Sequence, residues 1–173
     1  MNFNNFLNEI QNNNVLKFHQ YKKGERQSLS AESFFYKIEK VSCFFNELLN
    51  NKDRLKVITI IENSVEWNIF DFGLSLLSSD ILYLAINPTI ENNQLNKIIK
   101  KVKPDYIIVS ELVANLRKVQ SVNNEKILLT SSVINYSSKK ANTNSSVNTN
   151  GMTYFLTSGT TGEFKIIEHT VLT

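Results

Sequence analysis

A single cysteine, Cys43, leaves the chain with no internal disulfide and no multi-cysteine metal site. Its two histidines, His19 and His169, lie far apart in sequence and match no metal-ligand spacing. Two prolines and five glycines in 173 residues exclude a collagen-like repeat or a Pro/Gly low-complexity protein. Charge of one sign is also scarce, because 19 Lys and Arg against 16 Asp and Glu leave a formal +3. So small an excess leaves no footprint for nucleic acid, whose binders cluster basic residues on one face. Long apolar runs are missing as well. The most apolar stretch, residues 69–90, is broken by Asp71, Ser78, Ser79 and Asp80, and a membrane span of ~20 residues tolerates few such breaks. The first ten residues carry neither a basic lead nor an unbroken apolar core, so no signal peptide is expected and the chain reads as cytoplasmic.

What is present is ordinary globular composition, 42% hydrophobic and 20% charged, in one domain's worth of length. Asparagine is over-used near the start and again at 142–150, and this is taken as background bias. Residues 137–151 contain almost nothing apolar and cannot bury enough surface to offset chain entropy, so a flexible loop is expected there. Three of the five glycines, Gly151, Gly159 and Gly162, gather just after it.

Between these polar regions the periodicity alternates. Ser30 can cap a helix carrying Phe34, Ile38, Val41, Phe45 and Leu48 at a 3.6-residue period, with Cys43 as a small packing residue on its flank. Residues 57–61 form a short run apolar on both faces, as expected for a strand covered from two sides. Asn63 and Ser64 offer a cap for a largely buried helix over 65–77, and residues 81–86 read as a second strand ended by Asn87 and Pro88. Leu95, Ile98, Ile99 and Val102 make one stripe, with Lys97, Lys100, Lys101 and Lys103 as a solvated face and Pro104 as the stop. A strand over 106–109, a helix over 112–119 and a strand over 127–130 follow. Such alternation predicts a doubly wound α/β fold with a parallel sheet, whose ligands sit beyond the carboxyl ends of strands.

The chemistry-bearing candidate follows the polar stretch. A strand over 153–156 runs into Thr157-Ser158-Gly159-Thr160-Thr161-Gly162, four hydroxyls and two glycines in six residues, with Lys165 three positions on. Glycines let the backbone approach a bulky anion, exposed N–H groups and hydroxyls donate to phosphate oxygens, and lysine supplies a compact charge. The Walker arrangement fails, because lysine does not directly follow Gly162, and the dinucleotide G-x-G-x-x-G fails for want of a glycine at 161. Composition alone leaves a polyphosphate site and a Ser/Thr/Gly surface turn equally open.

The segment Thr157–Lys165 resembles the TSGTTGxPK phosphate-binding signature of the adenylate-forming (AMP-binding) superfamily, which includes acyl- and aryl-CoA synthetases, nonribosomal peptide synthetase adenylation domains and luciferases. Collinear stretches support it: His169-Thr170 behind the loop, Asn63-Ser64 after the first strand, Ala85-Ile86-Asn87-Pro88 followed by Gln94-Leu95, and Lys103–Val109. The resemblance implies that Thr157, Ser158, Gly159, Thr160, Thr161, Gly162 and Lys165 contact ATP phosphates while a carboxylic acid attacks the α-phosphate, with Mg2+ as the companion ion. It also implies CoA or a carrier protein as the acceptor, and no catalytic residue or metal ligand is assigned within the chain.

Phe164 and Ile166 replace the proline and glycine usual in the signature, Asp80 replaces a common glycine and Ala85 a frequent proline. The resemblance reaches Thr173 and implies that the acid pocket, a magnesium-binding glutamate, a ribose-binding aspartate and a catalytic lysine lie further on. The chain is therefore expected to be a partial N-terminal domain over 1–173, with its phosphate-binding strand and loop at 153–165. The alternative is a non-catalytic remnant, a nucleotide-binding or interaction module from a truncated or split gene.

Overall fold

The computed structural model describes residues 8, 9, 12, 17–22, 25–49, 54–77, 81–116, 126–137, 152–158 and 164–170. The chain enters through an antiparallel hairpin, β1 (Lys17–Lys22) and β2 (Glu25–Ser30), in register from Lys17↔Ser30 to Lys22↔Glu25. The sequence reading missed this hairpin. Its inward apolar signal is little more than the register pair Phe18 and Leu29, too short an alternation to separate from a loop. Phe18 stacks on Phe34 with ring centroids 3.9 Å apart, which fastens the ribbon to the first helix.

That helix, α1 (Ala31–Leu49), starts where expected, with the Ser33 amide donating to Ser30 Oγ at 3.2 Å. Phe34, Ile38, Val41 and Phe45 are fully buried along its inner stripe. Cys43 is half-buried, and burial followed by the nearby Glu39 carboxylate raises its thiol pKa, which keeps it a packing group.

The main sheet has the order β6-β5-β3-β4-β7-β8. Strands β3 (Leu55–Ile60), β4 (Ile81–Ile86), β5 (Tyr106–Val109), β6 (Ile127–Leu129) and β7 (Met152–Ser158) pair in parallel, and β8 (Phe164–Thr170) closes the edge antiparallel to β7. The doubly wound parallel sheet is thus present, with an antiparallel edge strand that was not anticipated. Helix α2 (Val65–Ser75) joins β3 to β4, and α3 (Asn92–Val102) joins β4 to β5. Helices α4 (Glu111–Leu116) and α5 (Thr130–Ile134) follow β5 and β6. Thr130, expected as the last residue of a strand, instead opens α5, and residues 117–119 of the expected helix lie outside the described residues, as do 138–151 of the expected loop.

Alternation along the strands sorts the core into two layers. Val57, Ile81, Tyr83 and Ile108 meet α1, α2 and α5, while Ile58, Ile60, Leu84, Ile107 and Val109 meet α3 and α4. Helix α3 ends as predicted at Pro104. The residue before a proline is disfavoured from the right-handed helical region, and Lys103 turns to φ 51° with its amide on the Ile99 carbonyl at 2.8 Å.

Where α1 crosses α2, Gly73 permits the closest approach. A Cβ there would lie 2.7 Å from both Cβ and Cγ1 of Val41 and 3.1 Å from the Ile38 carbonyl oxygen. At an open helix position Gly→Ala gains about 1 kcal/mol, but overpacking costs about 1–3 kcal/mol, and a branched partner atom cannot swing aside. Gly73→Ala is therefore expected to lower the urea midpoint despite its better helix propensity; an unchanged or higher midpoint would contradict this packing.

One polar chain crosses the first layer. Fully buried Thr59 donates to the Tyr83 hydroxyl at 3.2 Å, and that hydroxyl donates to the Asp71 carboxylate. Burial raises the Asp71 pKa above its usual value, with the Tyr83 hydrogen bond opposing, and burial followed by the Asp71 charge raises Tyr83. A carboxyl raised in the fold favours its protonated form there. Its contribution is present below the usual value near 3.8 and is lost as pH rises through the raised folded value. Asp71→Asn retains an acceptor for Tyr83 and removes that loss. Its Tm relative to the unsubstituted protein should rise between pH 3.5 and 7, and a Tm difference flat across that range would count against the buried-carboxyl account.

Candidate phosphate-binding site

Five parallel strands deliver their carboxyl ends to one edge of the sheet, and each run turns polar there. Glu62, Asn63 and Ser64 follow β3, Asn87 follows β4, Ser110 follows β5, Thr130 follows β6, and Thr157 and Ser158 end β7. Because β3 feeds a helix on one face and β4 a helix on the other, the chain directions diverge at this edge, which is the ligand-binding side of such sheets.

Most of these polar groups hold the edge itself. Ser64 Oγ accepts from the Trp67 amide at 3.2 Å and caps α2, as its sequence position suggested. Asn87 Oδ1 accepts from both the amide and hydroxyl of Thr89 at 2.9 Å, turning the chain out of β4. Ser110, 1% exposed, donates its hydroxyl to the Glu62 carboxylate and accepts from the Val113 amide at 3.2 Å, so it ties the β3 exit to the start of α4. Glu111 accepts from the Thr130 hydroxyl at 2.9 Å and the Ser131 amide at 3.2 Å. Burial alone would raise Glu111, but these hydrogen bonds outweigh it and hold the carboxyl below its ordinary range. The sequence reading did not single out Glu62, Ser110, Glu111 or Thr130; the available signal was a polar residue directly after each apolar strand.

The remaining exit is that of β7. It lies beside β4, with Leu82↔Met152, Tyr83↔Thr153 and Leu84↔Tyr154 in parallel register. It then pairs with β8 from Met152↔Thr170 to Ser158↔Phe164. Thr157 and Ser158 are the last residues of β7, and Lys165 stands in register opposite Thr157, one rung from the turn. Gly159, Thr160, Thr161 and Gly162 lie outside the described residues. The structure therefore brings Thr157, Ser158 and Lys165 to the mouth of one hairpin at the sheet's carboxyl edge. His169 stands further down β8, opposite Thr153.

Residues 9–172 match the family described as AMP-binding enzyme. The chain belongs to that family. No curated protein sequence matches this AMP-binding chain. Among solved structures it is similar to the N-terminal subdomain of Klebsiella oxytoca NpsA in complex with 3-hydroxybenzoyl-AMSN, with TM-score 0.69 and 14% identity over 98% of this chain and 41% of that one. It is also similar to NpsA-ThdA, an artificially fused adenylation–PCP di-domain from Klebsiella oxytoca, with TM-score 0.68 and 16% identity over 96% of this chain and 32% of the fusion. The anthranilate CoA ligase AuaEII, solved with anthranoyl-AMP, gives TM-score 0.64 and 16% identity over 83% of this chain and 30% of its own. The AMP-binding chain thus spans 41% or less of these relatives' lengths.

Phe164 and Ile166, which depart from the signature, find a local reason in β8. They stand opposite Ser158 and Leu156 in the antiparallel ladder, where aromatic and β-branched residues are favoured and proline removes a donor. Ile166, which replaces the signature's usual glycine, lies within a strand. Asp80 lies outside the described residues, and Ala85 lies in β4 opposite Thr59.

Removing the Ser110 hydroxyl takes away a helix cap and leaves the Glu62 carboxylate short of a donor. Ser110→Ala should cost about 1–2 kcal/mol in urea unfolding; a loss below a few tenths would show that this edge is held otherwise.

Proposed function

We propose that this chain is the N-terminal segment of an ATP-dependent ligase that activates a carboxylic acid as its acyl-adenylate. Family membership supports it, and the single observation that carries it is the exit of β7, where Thr157 and Ser158 end a parallel strand with Lys165 in register beside the turn. Across 157–165 the donor set suits a polyphosphate: four hydroxyls, the backbone amides at Gly159 and Gly162, and one ammonium, against the single carboxylate of Glu163. In this reading Thr157, Ser158, Gly159, Thr160, Thr161, Gly162 and Lys165 hold the β- and γ-phosphates of ATP. A carboxylate oxygen of the acid attacks the α-phosphorus, and the α–β bridging oxygen leaves with pyrophosphate. Held phosphates keep the leaving group aligned opposite the nucleophile, and the donors stabilise charge that grows on it.

Mg2+ would arrive with the nucleotide and offset phosphate charge. Among the described residues no group of three or more His, Cys, Asp or Glu is placed to hold a metal ion. A thiol, from CoA or from a carrier protein, takes the acyl group in the second half of the reaction. The CoA ligase and the carrier-fused adenylation protein among the structural relatives support these two acceptors. No helix among the described residues is long and apolar enough to cross a membrane, and a reaction drawing on ATP belongs in the cytoplasm.

The test is ATP–pyrophosphate exchange by the intact protein that carries these residues, run against fatty, aryl and amino acids. At least one class should support exchange, and Lys165→Ala should lower kcat/KM for ATP roughly 10- to 100-fold, the worth of one charge-assisted hydrogen bond. No exchange with any class, or unchanged kinetics in the variant, overturns the reading.

A further inference from the structure

Helix α3 lays its buried stripe, Leu95, Ile98, Ile99 and Val102, on the second core layer. Its outer side carries exposed Lys97, Lys100 and Lys101 at i, i+3 and i+4, and exposed Lys103 follows at the C-cap. Two more ammonium groups arrive from the sheet. Lys56 Nζ in β3 donates to the Val102 carbonyl at 3.3 Å, and Lys126 Nζ, just before β6, donates to the Pro104 carbonyl at 3.4 Å. Three separate segments thus bring six lysines to the amino end of the sheet, opposite the edge where β7 leaves.

Helix α3 contains no acidic residue, so its lysines repel one another at the spacing where a carboxylate would pair them. Among the described residues none of Lys97, Lys100, Lys101 and Lys103 is ion-paired. The carboxylate nearest in sequence, Asp105, accepts from the Lys56 amide at 2.9 Å. The negative end of the helix dipole offsets part of the repulsion at Lys100 and Lys101 in the last turn, an effect that fades by Lys97. Six positive charges exceed the chain's whole formal charge of +3, so the remainder of the molecule is net acidic. The small net charge conceals a segregated field, which attracts polyanions to this one corner.

Protein interfaces are depleted in lysine and centre on a buried aromatic or Arg anchor. None of the exposed large apolar residues among those described, Tyr36, Leu112 and Leu129, belongs to this corner. For the same reason single-stranded bases find no ring to stack on. Anionic lipid headgroups need neither feature, because hydrated ammonium groups on long stems are attracted singly and their effects add. We propose that this corner docks on an anionic membrane surface through Lys97, Lys100, Lys101 and Lys103, with Lys56 and Lys126 adding to the field. The apolar stripe of α3 is committed to the core, so the attachment is electrostatic and does not insert. It leaves the β7 exit on the side away from the lipid. The proposal does not depend on the ATP reading, since it uses none of residues 157–165.

The test is co-sedimentation of the intact protein that carries these residues with phosphatidylcholine vesicles, either alone or containing about 30% phosphatidylserine. The protein should bind the anionic vesicles and not the neutral ones. Salt at about 0.5 M, where screening shortens the reach of charge to a few Å, should release it. Each lysine is worth roughly fivefold in partitioning, so Lys97→Gln, Lys100→Gln and Lys101→Gln together should weaken binding about a hundredfold. Glutamine keeps the helix propensity, and the same three positions as Arg should retain binding, which separates loss of charge from loss of fold. Lys17→Gln, Lys37→Gln and Lys40→Gln together lower the net charge equally and should leave binding intact. Absent binding to anionic vesicles at low salt, equal binding to neutral ones, or equal losses in the two glutamine triples overturns the proposal. So does binding of a single-stranded RNA or of polyglutamate in place of the vesicles, which would assign the corner to nucleic acid or to an acidic protein. Pyrophosphate exchange in solution should be unchanged in the α3 triple, whereas Lys165→Ala should leave vesicle binding intact, so each reading fails separately.

Discussion

Strand β3 is buried on both faces and hydrogen-bonded on both edges, and the rest of the architecture follows from keeping it so. Leu55, Val57, Ile58 and Ile60 are each 0% exposed, and β4 and β5 flank the strand in parallel. A strand in that position has no solvent-facing side, so each face needs a helical cover. Parallel neighbours cannot be joined by tight turns, so the same helices serve as connections. Each fully buried Leu, Ile or Val contributes about 1.5–3 kcal/mol relative to exposure. The two layers around β3 therefore dominate the favourable side of folding. Thr59 is the fully buried polar residue on this strand, and the hydroxyl chain through Tyr83 to Asp71 is what permits it there.

The same constraint creates the functional edge. Apolar residues dominate the central strands β3, β4 and β5, polar residues follow at their ends, and parallel pairing collects the carboxyl ends in one place. Ser110, Glu62, Glu111 and Asn87 use that position to cap and brace the connections. What distinguishes β7 is that its exit does not enter a helix. It turns back as β8, whose register places Lys165 beside Thr157.

Legibility followed the range of the signal. Residues Leu95, Ile98, Ile99 and Val102 declare their helix within three turns, and all four are buried. Pro104 stops that helix by chemistry confined to its own neighbours. The runs over 57–61 and 81–86 were recognisable as short apolar strands, the first lying at Leu55–Ile60 in the structure. The β1–β2 hairpin was not, because Phe18 gains its meaning from Phe34, a helix residue it meets in space, and Leu29 from the core cluster it packs against. Phe164 and Ile166 looked like damage to a signature while their surroundings were a string of letters. Opposite Ser158 and Leu156 they are ordinary strand residues. Gly73 carried no sequence mark at all, since its role is set by Val41 on another helix.

By itself the sequence determined the helix and strand periods, the caps at Ser30 and Ser64, the stop at Pro104, and the family that its Thr157–Lys165 segment resembles. Each of these depends on residues within a few positions of one another, where backbone sterics and side-chain spacing act directly. Only the tertiary structure decided the strand order, the antiparallel edge at β8, the approach of α1 to α2 over Gly73, and the stacking of Phe18 on Phe34. Those features join residues distant along the chain. Their energies come from pairing and packing that exist only after the elements have met.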